Sequence, residues 1–142
     1  MKTTLVTMLA GFGLVLSAPV FAHHAVGGEY DSSKPVTVTG TVSKIEWVNP
    51  HARVYFDVTE PDGKVTTWSV ELAARVVLER MGWNGRSLKI GEKVTVRGDQ
   101  ARSGAPMLNA RAREQRELQA SKGAPPEYPI TRGDGTPVLN DR

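Results

Sequence analysis

Residues 35–47 read PVTVTGTVSKIEW, and the phase of this stretch decides the fold. Val36, Val38, Gly40 and Val42 alternate with Thr37, Thr39, Thr41 and Ser43, the period of a half-buried strand. After Lys44 the apolar positions move to Ile45 and Trp47, so the phase slips. One extra residue near Ser43-Lys44, a β-bulge, produces such a slip and coils a long first strand. Asn49-Pro50 ends it with turn chemistry.

Downstream, Val54, Phe56 and Val58 share one face of a second strand, Arg53 to Thr59. Glu60-Pro61-Asp62-Gly63-Lys64 is a hairpin turn, in which Pro presets the bend and Gly supplies positive φ. The third strand, Val65 to Leu72, turns Trp68, Val70 and Leu72 inward and Thr67, Ser69 and Glu71 outward. Ala74, Val77, Leu78 and Met81 then fall at helical spacing, and Gly82 stops the helix. Two more strands follow, Lys93–Arg97 and Met107–Arg113, joined through Arg102–Pro106. The order predicts a mainly β fold: a small five-stranded OB-like barrel with one helix between strands 3 and 4. A small open sheet of the same order is the competing architecture, because periodicity does not prove closure.

Upstream, residues 1–22 carry Lys2, an apolar run from Leu5 to Leu16 and the small-residue exit Val20-Phe21-Ala22. This is the pattern of a secretory signal peptide, too short to cross a bilayer. Cleavage after Ala22 is expected, with a periplasmic or secreted product. Residues 23–34 (HHAVGGEYDSSK) read as an N-terminal arm, 35–119 as the OB-like domain, and 120–142 as an extended or disordered tail. The tail is marked by Ala124-Pro125-Pro126, Pro129, Gly133, Gly135 and Pro137 among charges.

Composition narrows the function classes. The 18 Lys and Arg against 15 Asp and Glu give a formal charge of +3. Removing the leader takes only Lys2, which leaves +2. Charges of both signs are interspersed, a pattern that argues against nucleic acid as a partner. No membrane span remains after cleavage. The chain has no cysteine, so metal chemistry falls to His, Asp, Glu and backbone nitrogen.

The three histidines are His23, His24 and His51. A cut before His23 leaves a free amine next to two imidazoles. The amine and the His23 imidazole can close a chelate ring; alternatively the amine, the next amide nitrogen and the His24 imidazole form a tetragonal set. Nitrogen donors in that geometry favour Cu(II) or Ni(II), and copper is the expected cofactor. Protons compete only mildly near neutrality, with reference pKa values of about 7.7–8.0 for the amine and about 6.5 for His. His51 completes the set if the arm folds back over its loop. Glu71, Glu29 and Asp31 are candidate outer ligands or hydrogen-bond partners. The bland alternative is a solvated arm with incidental histidines. The chain is then an OB-like ligand- or protein-binding module with no metal, presenting Trp47, Asn49 and Tyr55. In either case the expected partner is an envelope protein or a small ligand, and the sequence does not set the oligomeric state. No nucleophile elbow, phosphate-cradling Gly loop or His-Glu-x-x-His helix occurs, so no enzyme is expected.

Several blocks carry a family likeness: Ala22-His23-His24-Ala25, Lys34 to Val42, Glu46-Trp47-Val48-Asn49-Pro50-His51-Ala52, Trp68 with Glu71-Leu72, Met81-Gly82-Trp83, and Leu88 to Val96. With these the chain resembles the small exported bacterial proteins catalogued as domain of unknown function 6152, over roughly residues 22–113. The resemblance implies an exported, mostly β domain and brings no activity with it. Arg53 departs from the pattern, standing where an aromatic or aliphatic residue is expected, and the Pro/Gly-rich tail is longer than usual.

Overall fold

The computed structural model of the chain describes residues 28–110, 123 and 129–138. The signal segment, His23 and His24 lie outside these residues. β1 (Tyr30–Glu46), β2 (Arg53–Thr59) and β3 (Val65–Glu71) come first. A single helical turn and a half, α1 (Arg75–Arg80), follows, and then β4 (Lys93–Ala101), β5 (Met107–Asn109) and β6 (Ile130–Arg132). The sheet runs β1-β2-β3-β5-β4, and β1 pairs again with β4, so five strands close into a barrel. The closure and the position of α1 match the OB-like expectation.

The closure depends on the length and bending of β1. Its N-terminal part pairs with β4 from Tyr30↔Ala101 to Thr41↔Lys93. Its C-terminal part pairs with β2, with a register shift between Val42 and Lys44. The extra residue therefore sits where the apolar phase slips. It lets one strand leave β4 and follow β2 while Val42 and Ile45 stay on the core side. At the crossing the backbones come close. A Cβ on Gly40 would lie 2.6 Å from the Asp57 carbonyl oxygen and 2.9 Å from Phe56 Cδ2, so only glycine fits there.

The β2–β3 hairpin turns where expected, with Gly63 at φ +83°. Glu60 and Lys64 bond across it, N–H to O at 2.8 Å. Full register from Arg53↔Glu71 to Thr59↔Val65 follows. Val42, Val54, Phe56, Val70, Val94, Val96 and Leu108 fill the barrel, and Leu78 of α1 plugs one end.

Several boundaries differ from the sequence reading: β4 runs past Arg97 to Ala101, and β5 ends at Asn109. β1 opens at Tyr30, inside the segment read as an arm, because Tyr30 finds a buried place against β4. The tail read as extended or disordered supplies β6, which pairs with β4 from Val94↔Arg132 to Val96↔Ile130. Ile130 is fully buried and Val138 nearly so. The local Pro/Gly composition reflects the tight turn after β6, where Gly135 donates to the Arg132 carbonyl at 2.9 Å. That composition carries no information about the long-range burial of Ile130.

Candidate functional site

The end of β3 and the start of β2 meet at one carboxylate. Equal strand lengths and the short turn place Arg53 directly across from Glu71. Just before Arg53, Ala52 is buried and pinned, its N–H donating to the Ala73 carbonyl and its carbonyl accepting from Leu72 N–H. The preceding residue, His51, is thereby held over the same carboxylate. His51 Nδ1 lies 2.8 Å from Glu71 Oε1, and Arg53 Nη2 donates to Glu71 Oε2 at 2.7 Å. Glu71 is thus shared, one oxygen to each partner.

An ionised carboxylate only accepts, so His51 Nδ1 carries the proton and Nε2 keeps its lone pair in the neutral ring. The His51 side chain is 47% exposed while that of Glu71 is 13% exposed. This carboxylate–imidazole arrangement fixes the ring and its tautomer, as in metal-ligating histidines. Arg53 balances the Glu71 charge.

Tyr30 joins the cluster from β1. It is 2% exposed, and its hydroxyl makes no hydrogen bond of normal geometry among the described residues. Burial raises its pKa above the ordinary phenol value, and the negative charges of Glu71 and Glu29 push the same way. Arg53 lies close enough to oppose them.

The other expected site residues sit elsewhere. Asp31 Oδ1 accepts from Ser33 N–H at 3.1 Å and from Ser33 Oγ at 2.6 Å, bonds that lower its pKa. Its other oxygen is 3.9 Å from Arg102 Nη1. Glu29 is exposed, and its carbonyl accepts from Arg102 N–H. Neither carboxylate is paired with His51. Trp47 stacks on Trp83 with ring centroids 6.4 Å apart and planes 3° from parallel. Tyr55 donates to Glu46 Oε2 at 3.0 Å and lies under Lys44 Nζ, 5.1 Å from the ring centroid. Asn49 is exposed in the β1–β2 loop. Trp47 and Tyr55 thus engage separate partners.

Arg53 and Tyr30 are the members of the cluster that sequence reasoning did not assign to it. The Arg53↔Glu71 register could have been counted back from the Gly63 turn. Tyr30, the one aromatic residue of a polar arm, was the other available signal. Among the described residues no group of three or more His, Asp or Glu side chains is arranged to hold a metal ion.

No curated protein matches the chain. The family model described as a family of unknown function (DUF6152) matches residues 13–108, which take in Tyr30, His51, Arg53 and Glu71 and stop short of β6. On that match, over more than half its length, the chain belongs to this family of unknown function, DUF6152.

Proposed function

We propose that the chain is exported, cut after Ala22, and works in the periplasm as a small copper-binding module. The donors are the new amine, the imidazoles of His23 and His24, and Nε2 of His51. The observation that carries this reading is the 2.8 Å contact between His51 Nδ1 and a carboxylate already neutralised by Arg53. Such a contact leaves one oriented, exposed nitrogen donor on a rigid loop, the form in which a protein offers histidine to a metal.

Chain length supports the rest. Tyr30 is anchored beside Arg53 and Glu71, and the six Cα-to-Cα steps from His24 to Tyr30 span at most roughly 22 Å fully extended. A tether of that length limits how far the two N-terminal histidines can lie from the cluster that holds His51. Nitrogen donors with equatorial geometry suit Cu(II), and no thiolate competes.

The test is a Cu(II) titration of protein beginning at His23, read by electron paramagnetic resonance, beside protein carrying one extra N-terminal residue. A tight one-to-one nitrogen-rich signal that the extra residue abolishes supports the amine chelate. Weak and identical binding in both refutes it. The second reading, an OB-like module that binds a ligand or protein without metal, draws on Val48. This residue is 52% exposed beside Asn49, in a loop that contacts ligands in this fold. It predicts that Val48→Ser, and not His51→Ala, abolishes capture of the partner.

A further inference from the structure

A second site lies away from the histidines, where the loop between α1 and β4 meets β6. A surface pocket of ≈ 410 Å³ is lined by Arg86, Ser87, Lys89, Ile90, Gly91, Glu92 and Arg132. Its floor is rigid. Arg132 Nε pairs with Glu92 Oε1 at 2.8 Å, Nη2 donates to the Ser87 carbonyl at 2.8 Å and Nη1 to the Pro137 carbonyl at 3.1 Å. The second oxygen of Glu92 accepts from Lys89 N–H at 2.9 Å, and Gly91 N–H donates to the Val42 carbonyl. Asn84 holds the loop through Arg86 N–H and Ser87 Oγ.

This bonding settles the charges. Arg132 and Glu92 cancel each other. Arg86 and Lys89, both exposed and lining the pocket, have side chains without an ion pair among the described residues, so within those residues two positive charges there lack a counter-charge. Ile90, which also lines the pocket, is 72% exposed, the most exposed large apolar residue among those described. Two such cations fit an anion of about two charges, which is what a phosphate monoester carries near neutrality. Arg offers a planar fork and Lys a point charge for its oxygens. The apolar wall fits a hydrocarbon substituent.

We propose that this pocket binds a phosphate monoester carrying an apolar substituent, with Arg86 and Lys89 on the phosphate and Ile90 against the substituent. The site is independent of the histidines and of any metal. Because Arg132 and Pro137 lie beyond the family-matched residues, the tail of this chain completes it.

The test uses the full-length, isotope-labelled chain and follows the Ser87 and Gly91 amide signals by NMR. Butyl phosphate should shift both saturably, and salt should weaken the binding. Arg86→Gln and Lys89→Gln should each weaken it about tenfold, the loss of one charge-assisted contact. Ile90→Ser should weaken butyl phosphate and leave inorganic phosphate unchanged. Sedimentation with phosphatidic acid vesicles, lost in Ile90→Ser, identifies a lipid headgroup as the source. Saturable shifts without vesicle capture identify a soluble phosphate ester. Absence of saturable shifts in the wild-type chain, or shifts unchanged in the Arg86→Gln/Lys89→Gln chain, overturns the proposal. The wild-type titration decides the matter even where a variant folds poorly.

Discussion

His51 Nδ1 and Glu71 Oε1 meet at 2.8 Å across the gap between the β1–β2 loop and the end of β3. The contact converts a loop histidine into an oriented donor, because Arg53 occupies the other carboxylate oxygen and leaves Glu71 no freedom to swing away. If His51 serves a metal, Glu71 acts through it as a positioning residue. Glu71→Ala should then lower Cu(II) affinity by about tenfold or more, in the range observed for partners behind metal-ligating histidines. His51→Ala should cost as much, and adding Glu71→Ala to it should cost nothing further. Additive losses in a titration of the four chains would show that Glu71 does not act through His51.

Arg53 should matter to folding as well as to the site. Its side chain is 27% exposed and that of its partner Glu71 13%, so the pair is only partly screened by water. Arg53→Ala leaves Glu71 with His51 alone and should lower stability by about 1–3 kcal/mol in urea denaturation. Replacing both Arg53 and Glu71 by leucine should recover most of that, since no orphaned charge remains. A double variant as unstable as the single one would contradict the assignment.

The barrel was legible because its decisive features are local. The phase slip at Ser43-Lys44 reports the bulge that lets β1 serve two neighbours. The Gly63 turn fixes every β2–β3 pair by counting. Glu71 and His51 were legible as chemistry, since both stood out by residue type. Arg53 looked solvated because its partner lies 18 positions away, and nothing near it in sequence announces a carboxylate. Tyr30 and Ile130 were hidden for the same reason. Each sits in a polar or Pro/Gly-rich stretch whose local propensity favours coil, and each is buried by a strand far along the chain. Propensity is a weak prior where tertiary pairing supplies the stabilisation.

Tyr30 should set an alkaline limit to stability. Its phenol pKa is raised in the folded chain, with burial the largest cause. Below pH 10 both folded and unfolded chains keep the phenol neutral, and its full contribution is present. As pH rises past 10 the unfolded chain loses the proton first, so this contribution fades through the folded pKa. Ultraviolet titration should show a late tyrosine ionisation that coincides with unfolding. In Tyr30→Phe that late step should disappear. A wild-type chain whose tyrosines all ionise together at the ordinary phenol value would contradict the burial argument.

Ile130 tests whether the tail belongs to the barrel. It belongs to the core cluster and is fully hidden from water, packed where β6 pairs with Val94 to Val96 of β4. The surrounding segment is held by the Arg132 clasp on Glu92 and Ser87 and by the bond from Val138 N–H to the Ile130 carbonyl. Truncating a buried isoleucine to alanine costs about 2–5 kcal/mol when the site cannot collapse. The tail can retreat more easily than a central strand, so Ile130→Ala should fall toward the lower end, about 2 kcal/mol. Thr131→Ala, half-buried at the next position, should cost much less. Hydrogen exchange should report the same hierarchy. The Arg97 N–H, which donates to the Pro129 carbonyl at 2.8 Å, should exchange faster in Ile130→Ala, while the β2–β3 ladder stays protected. Equal stability of Ile130→Ala and wild type, with Arg97 exchange unchanged, would mean that β6 does not pack on the barrel in solution.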